Sequence, residues 1–306
     1  MITAYYHPGY AAPIGKHVMP ITKFSRVADA LRGEPGVRLE EPRPVTEEDL
    51  LRVHTREYVA AVATGEPRDL AESQKFPWSP ELYRSVLLTN GGCLAAARRA
   101  RSDGVAAAIA SGFHHSHADH GEGFCTFNGL VVAIDAMIAA GEIRSAAVLD
   151  MDLHYGNGTA SLARTRPYLF NLSIYGNDYA ANTAYRDVRE RRHEDGINHR
   201  SIALPAGSGR KEMMAAMEAG LELILASGRT DLLIYQAGAD PYREDPYSPL
   251  DLDHEDLRVR DRRAFEFARE HGLPIAWVLA GGYTEDTSKV VRIHLNTFAA
   301  ALEVFG

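Results

Sequence analysis

Only two of the 306 residues are cysteine, Cys93 and Cys125. That is too few for a disulfide framework, so a reducing, cytoplasmic setting is the default expectation. No apolar run approaches the ~18 residues of a membrane-crossing helix, so no span is expected. The opening, Met1 to Pro8, lacks a basic stretch followed by an apolar one and does not read as a secretion signal. Cationic excess is missing too: 33 Lys and Arg stand against 41 Asp and Glu, a formal charge of −8. A protein that bound nucleic acid over its whole surface would lean the other way, so no such partner is expected. An acidic body does suit a cationic ligand, such as a Lys-rich peptide or a polyamine. The run Arg186, Asp187, Arg189, Glu190, Arg191, Arg192 mixes both signs and reads as a solvated loop. Internal repeats and low-complexity linkers are absent, so 1–306 is expected to form a single domain. General disorder is excluded, because 45% of the residues are hydrophobic and 24% charged, enough to fill a globular core.

What the chain does have is alternation. Short runs rich in Val, Ile, Leu and Tyr predict strands over 2–6, 105–110, 146–150, 169–174, 232–236 and 275–279. Longer segments predict helices over 21–32, 47–64, 80–101, 129–140, 211–226, 254–270 and 288–304. In the 211–226 segment Met214, Met217, Leu221 and Ile224 recur at helical spacing, and Met213, Met214 and Met217 read as core rather than as a ligand surface. The polar, Pro-rich stretch 32–48 reads as a loop. Alternating strands and helices predict an α/β fold, a three-layer α/β/α arrangement around a mostly parallel central sheet.

Sites in such sheets form beyond the carboxyl ends of the strands, and four strand ends carry reactive groups. The first is followed by His114, His115, His117 and His120. The second is followed by Asp152 and His154, the third by Asp240, and the fourth by Gly281, Gly282 and Tyr283. In an extended segment Asp152 and His154 point to the same side, and Asp240 could join them as a third ligand. Two carboxylates and an imidazole suit Zn²⁺, and would also take Fe²⁺ or Mn²⁺, with positions left open for substrate. The plain alternative is that Asp152 caps a following helix and His154 packs locally. His114 and His115 suit proton transfer. The four histidines together could instead be a His-rich metal tract, or part of a solvated loop. A phenol at Tyr283 can donate to a developing oxyanion, or be a core or rim tyrosine. His7, His17, His54, His193, His199, His254, His271 and His294 read as structural.

The strings G-F-H-H (112–115), G-F-C-T-F-N (123–128), D-M-D-L-H-Y-G-N-G-T (150–159), Q-A-G-A-D (236–240) and A-G-G-Y (280–283), in this order, resemble the histone deacetylase superfamily with its arginase/deacetylase fold. Phe113-His114-His115, Asn157 and the compact length look most like the class IV members and their bacterial relatives. The resemblance implies a zinc-dependent amidohydrolase that removes acetyl or longer acyl groups from lysine side chains of proteins or peptides. The alternative it implies is a deacetylase of acetylpolyamines or other small acetylated amines, and a third reading is an inactive module that binds an acylated ligand. It places Zn²⁺, or Fe²⁺, on Asp152, His154 and Asp240. It makes His115 the general base, His114 its partner, and Tyr283 the group that polarises the amide carbonyl. Phe124, with Gly123 and Gly282, would line a narrow substrate tunnel. Asp150 would orient His114 and share a structural K⁺ site with Asp152, His154 and Ser173.

Two positions depart from many relatives: Tyr155 stands where they have His, and Asn157 where they have Asp. An uncharged Asn157 is expected to leave His115 with a lower pKa than an aspartate would. Gly156 and Tyr242 stand where the two-metal arginase branch carries further carboxylates, so one metal is expected. No long insertion interrupts the chain, which favours an open mouth. Tyr175, Tyr179 and the 32–48 stretch are candidate wall or rim elements.

Overall fold

The computed structural model describes residues 1–180, 183–185 and 196–306. The 186–192 run and His193 therefore lie outside the described residues. The strands are β1 (Ile2–Tyr5), β2 (Val37–Glu40), β3 (Val105–Ala108), β4 (Ala146–Asp150), β5 (Leu169–Tyr175), β6 (Asp178–Ala180), β7 (Thr183–Tyr185), β8 (His199–Ala203), β9 (Leu233–Gln236) and β10 (Ile275–Val278). Eight of them form one sheet in the order β2-β1-β3-β10-β9-β4-β5-β8, and every pairing in it is parallel. β6 and β7 make a separate antiparallel pair. The last strand of the chain, β10, thus sits in the middle of the sheet, between β3 and β9.

The helices are α1 (Thr22–Leu31), α2 (Glu47–Leu51), α3 (Arg56–Thr64), α4 (Arg68–Ala71), α5 (Pro80–Asp103), α6 (Gly129–Ala139), α7 (Asn157–Ala163), α8 (Arg210–Ser227), α9 (His254–Glu270) and α10 (Thr287–Phe305). α1, α10, α9 and α8 pack in succession as one layer, and α5, α6 and α7 as another. Covered on both faces, the inner strands β3, β4, β5, β9 and β10 are buried throughout, which is why apolar residues dominate each of them. The main apolar cluster extends from Ile2 to Val304, and Tyr155, Ala160 and Tyr175 form a second, small one.

Three expectations change. The 32–48 stretch is not all loop, because β2 lies within it and pairs with β1. β8 was not foreseen either. Both are the outer strands of the sheet, only partly buried, so their sequences mix polar with apolar residues. The helix expected over 47–64 is broken in two, since the Thr55 side chain accepts from the Tyr58 N–H and starts α3 afresh. In α8, Met213, Met217, Leu221 and Ile224 are buried, while Met214 is only half-buried against the core.

Candidate functional site

β4 and β9 are neighbours, with Asp150 in register with Gln236, so the segments leaving their carboxyl ends emerge side by side. This brings together Asp152, His154 and Asp240, whose ligand atoms all lie within 4.8 Å of one another. His154 Nδ1 is 3.3 Å from Asp152 Oδ1 and 3.1 Å from Asp240 Oδ2. The other carboxylate oxygens are held by backbone: Asp152 Oδ2 accepts from Gly281 N at 2.8 Å, and Asp240 Oδ1 from Leu153 N at 3.0 Å. Asp152 does not cap the next helix, since α7 begins five residues later with Gly156 at its N-cap. Gly281 has to be glycine: a Cβ there would lie 2.0 Å from Asp240 Oδ2.

All three residues are buried. Burial raises the Asp240 pKa, and the neighbouring Asp152 carboxylate raises it further. Burial opposes a charge on His154, yet its hydrogen bonds to Asp152 and Asp240 outweigh that and push its pKa up to about 10. The cluster therefore calls for positive charge at the atoms a divalent ion would use. The donor set, one imidazole nitrogen and two carboxylate oxygens, fits such an ion.

The loop after β3 points two imidazoles at this cluster. His114 Nδ1 lies 2.7 Å from Asp150 Oδ2, and its Nε2 is 3.6 Å from Asp152 Oδ1. Burial works against a charge on His114, but Asp150 and Asp152 prevail and raise its pKa. His115 Nδ1 lies 2.7 Å from Asn157 Oδ1, and the two histidine rings are 4.0 Å apart. Asn157 Nδ2 donates to Glu122 Oε2 at 2.7 Å, which turns the amide oxygen toward His115. The His115 proton thus sits on Nδ1 and the lone pair on Nε2. His115 is held well below its ordinary pKa by burial first, then by charge on His114 and His154. An aspartate at 157 would also face Glu122 directly, a like-charge contact that the carboxamide avoids.

Tyr283 follows β10. Its ring is 6.1 Å from that of His154 and 6.3 Å from that of Phe124. Burial, then the Asp240 and Asp152 charges, push its pKa well above 10, so the phenol keeps its proton. Above these groups Gly123, Phe124 and Phe76, with Met19, Ile21 and Phe24, line a cavity that reaches His114, His115, Asp152 and Tyr283. The rings of Phe124 and Phe76 stack 5.5 Å apart, and His17, expected to be structural, meets Phe124 edge-on at 4.7 Å. Gly282 does not line this cavity; Ala280, Gly281 and Tyr283 do, while Gly282, at φ 140°, backs onto Val290. Tyr175 packs on Tyr155 rather than on the cavity wall, and the 32–48 stretch borders a different groove. The Tyr179 side chain lies outside what is described. Ser173 is buried directly across from Asp150, and its hydroxyl accepts from Gly156 N at 3.3 Å. Among the expected structural histidines, His54 is buried between the His117 carbonyl and the Asn128 N–H, and His199 bonds the Tyr155 hydroxyl.

Three supporting residues escaped the sequence reading. Asp245 accepts from the backbone N–H of Tyr283 at 2.7 Å, and burial followed by the Asp240 charge lifts its pKa to about 7. The repeated D-P-Y at 240–242 and 245–247 was its only signal. Arg260, fully buried, donates from Nη1 to the carbonyls of Met151 and Gly238, tying the two ligand-bearing segments together. It falls on the apolar face of α9 beside Leu257, Asp261 and Ala264, where an arginine is out of place. Lys23, also fully buried, donates to the Ala280 carbonyl at 2.7 Å.

The chain is 27% identical over 290 residues to histone deacetylase 2 of Arabidopsis thaliana, covering 90% of this chain and 72% of that one. It is 34% identical over 186 residues to acetylpolyamine amidohydrolase 1 of Pseudomonas aeruginosa, covering 60% and 51% of the two chains. The crystal structure of an acetylpolyamine aminohydrolase from Burkholderia pseudomallei shares the fold, with a TM-score of 0.80 at 20% identity over 98% of both chains. The family description "Histone deacetylase domain" matches residues 17–298. With an all-parallel eight-stranded sheet delivering these side chains to one edge, and with that match spanning nearly its whole length, the chain belongs to the histone deacetylase family of amidohydrolases.

Proposed function

We propose that this protein is a zinc-dependent deacylase that hydrolyses the amide of acyl-lysine side chains in proteins or peptides. The observation that carries the reading is the convergence of Asp152, His154 and Asp240 beside His114, His115 and Tyr283 at the inner end of an aromatic-lined cavity. Asp152, His154 and Asp240 would hold Zn²⁺, or Fe²⁺, which supplies a Lewis acid for the amide carbonyl. His115, whose Nδ1 faces Asn157 Oδ1, takes a proton from the attacking water. A protonated imidazole then passes a proton to the departing amine. Asp150 orients His114, and Asn157 fixes the His115 tautomer. Tyr283, protonated at all working pH values, donates to the carbonyl oxygen as negative charge develops. Phe124, Gly123 and the stacked Phe76 would flank the lysine methylenes. A structural K⁺ beside Asp150, Asp152, His154 and Ser173 belongs to the same reading, supported by the placement of Ser173 across from Asp150.

The −8 net charge and the 34% identity to a protein named acetylpolyamine amidohydrolase favour a second reading, a small cationic acetylated amine as substrate. Turnover of lysine peptides bearing acetyl and longer acyl groups, measured beside acetylspermidine with Zn²⁺-loaded protein, separates the two. Release of acid from the peptides is expected. Turnover confined to acetylspermidine would replace the first reading with the second, and peptide binding without any acid release would reduce the protein to a binding module.

A further inference from the structure

The tract after β3 does not stay together. His114 and His115 turn into the pocket, whereas His117 and His120 turn away and face Glu122. We propose that His117, His120 and Glu122 form a second divalent-cation site, of the kind that takes Zn²⁺, on the outer side of the loop. The proposal does not depend on the function assigned to the first cluster.

His117 Nε2 lies 3.8 Å from Glu122 Oε2, and His120 Nε2 lies 3.5 Å from Glu122 Oε1. A tetrahedral Zn²⁺ with bonds of 2.0–2.1 Å spaces its ligand atoms about 3.4 Å apart. The three ligand atoms already lie within 4.8 Å of one another. The opposite ring nitrogens are engaged in the way that prepares an imidazole for a metal. His117 Nδ1 is 3.0 Å from Ser161 Oγ, and that hydroxyl gives its own proton to the Gly158 carbonyl, so Nδ1 is the donor. Asn157 Nδ2, which can only donate, lies 3.1 Å from His117 Nε2 and marks that nitrogen as the one with the lone pair. His120 Nδ1 lies 2.7 Å from Asp119 Oδ1. Both rings therefore carry an acceptor behind Nδ1 and aim Nε2 at one carboxylate, as ligating histidines do. The rings are stacked, with centroids 4.6 Å apart and 7° between planes, so their lone pairs run side by side, and closing both on one ion takes a turn of the more exposed His120 ring. The side chains of His117 and His120 are 20% and 38% exposed and that of Glu122 10%, so an ion can enter from solvent and complete its shell with water.

The test is a metal count. Chelator-stripped protein is brought to equilibrium by dialysis against micromolar Zn²⁺, and bound metal per chain is measured. Wild type is expected to hold two ions. H120A, at a half-exposed residue, and E122Q, an isosteric change at a buried carboxylate, are expected to hold one, with an unchanged thermal melt of the stripped protein for H120A, and the D152N/D240N double variant is expected to hold one. A single ion in wild type that H120A and E122Q still hold would mean a cluster joined by protons alone. That result, no ion at all in wild type, or two ions persisting in H120A and E122Q, overturns the site, whereas a single ion that both variants lose supports it.

Discussion

At the scale of single residues, Tyr283 and His154 give the sharpest expectations. Replacing Tyr283 with Phe removes one hydroxyl from a half-buried ring and leaves its backbone bond to Asp245 intact. Turnover is expected to fall by roughly 10²–10³-fold with little change in the melting curve. Undiminished turnover would remove Tyr283 from the chemistry. His154 sets a pH dependence. In the metal-free protein its pKa is raised from 6.5 to about 10, so the folded state binds a proton there that the unfolded chain loses. That stabilisation is complete below about pH 6.5 and is lost as the pH rises toward 10. An incoming metal must displace the same proton, so apparent Zn²⁺ affinity is expected to rise by about tenfold per pH unit between pH 7 and 9. Chelator competition at three pH values measures this, and a flat dependence would contradict the protonated His154.

Elements decide how exactly those residues are held. Gly281 and Arg260 show two ways of doing it. Gly281→Ala would drive a methyl group into Asp240, and Zn²⁺ affinity is expected to fall by about 10–100-fold, the usual effect of disturbing a ligand's support, while α9 and α10 stay packed. Equilibrium dialysis reads the change. Arg260→Met leaves Asp261 as a buried carboxylate between Tyr235 and Thr297 and strips two carbonyls of their donor. A loss of about 3–5 kcal/mol in urea unfolding is expected; a loss below 1 kcal/mol would mean the pair is not structurally needed.

The same scale explains what could be read in advance. The inner strands, and the convergence of Asp152, His154 and Asp240 beyond their ends, were legible because burial on both faces favours apolar runs and parallel pairing gathers the strand ends at one edge. The outer strands β2 and β8 were not, because half-buried strands carry no such signature. Asp245, Arg260 and Lys23 stayed hidden for a different reason: each acts through a backbone group distant in sequence, and nothing in the local pattern names that partner. The His-rich tract was visible as composition, but only the turn of the loop divides it into His114 and His115 at the cavity and His117 and His120 stacked at Glu122.

For the molecule as a whole, the placement of Asp152, His154 and Asp240 beyond the ends of β4 and β9 would make metal binding a property of the assembled sheet. A metal held there would bind the folded chain and not the unfolded one, so at a free concentration 1,000 times the dissociation constant it would add about 4 kcal/mol of stability. A chelator is therefore expected to lower the melting temperature by several degrees, and Zn²⁺ to restore it. An unchanged melt would mean the cluster is stable without the ion.

The position of β10 bears on how the chain is made. During synthesis, residues up to about 270 can assemble β2-β1-β3 and β9-β4-β5-β8 only as two half-sheets, each with a raw parallel edge awaiting Ile275–Val278. Nascent chains in that interval would carry two sticky, unsealed borders, a hazard for aggregation that ends when the final insertion joins the halves.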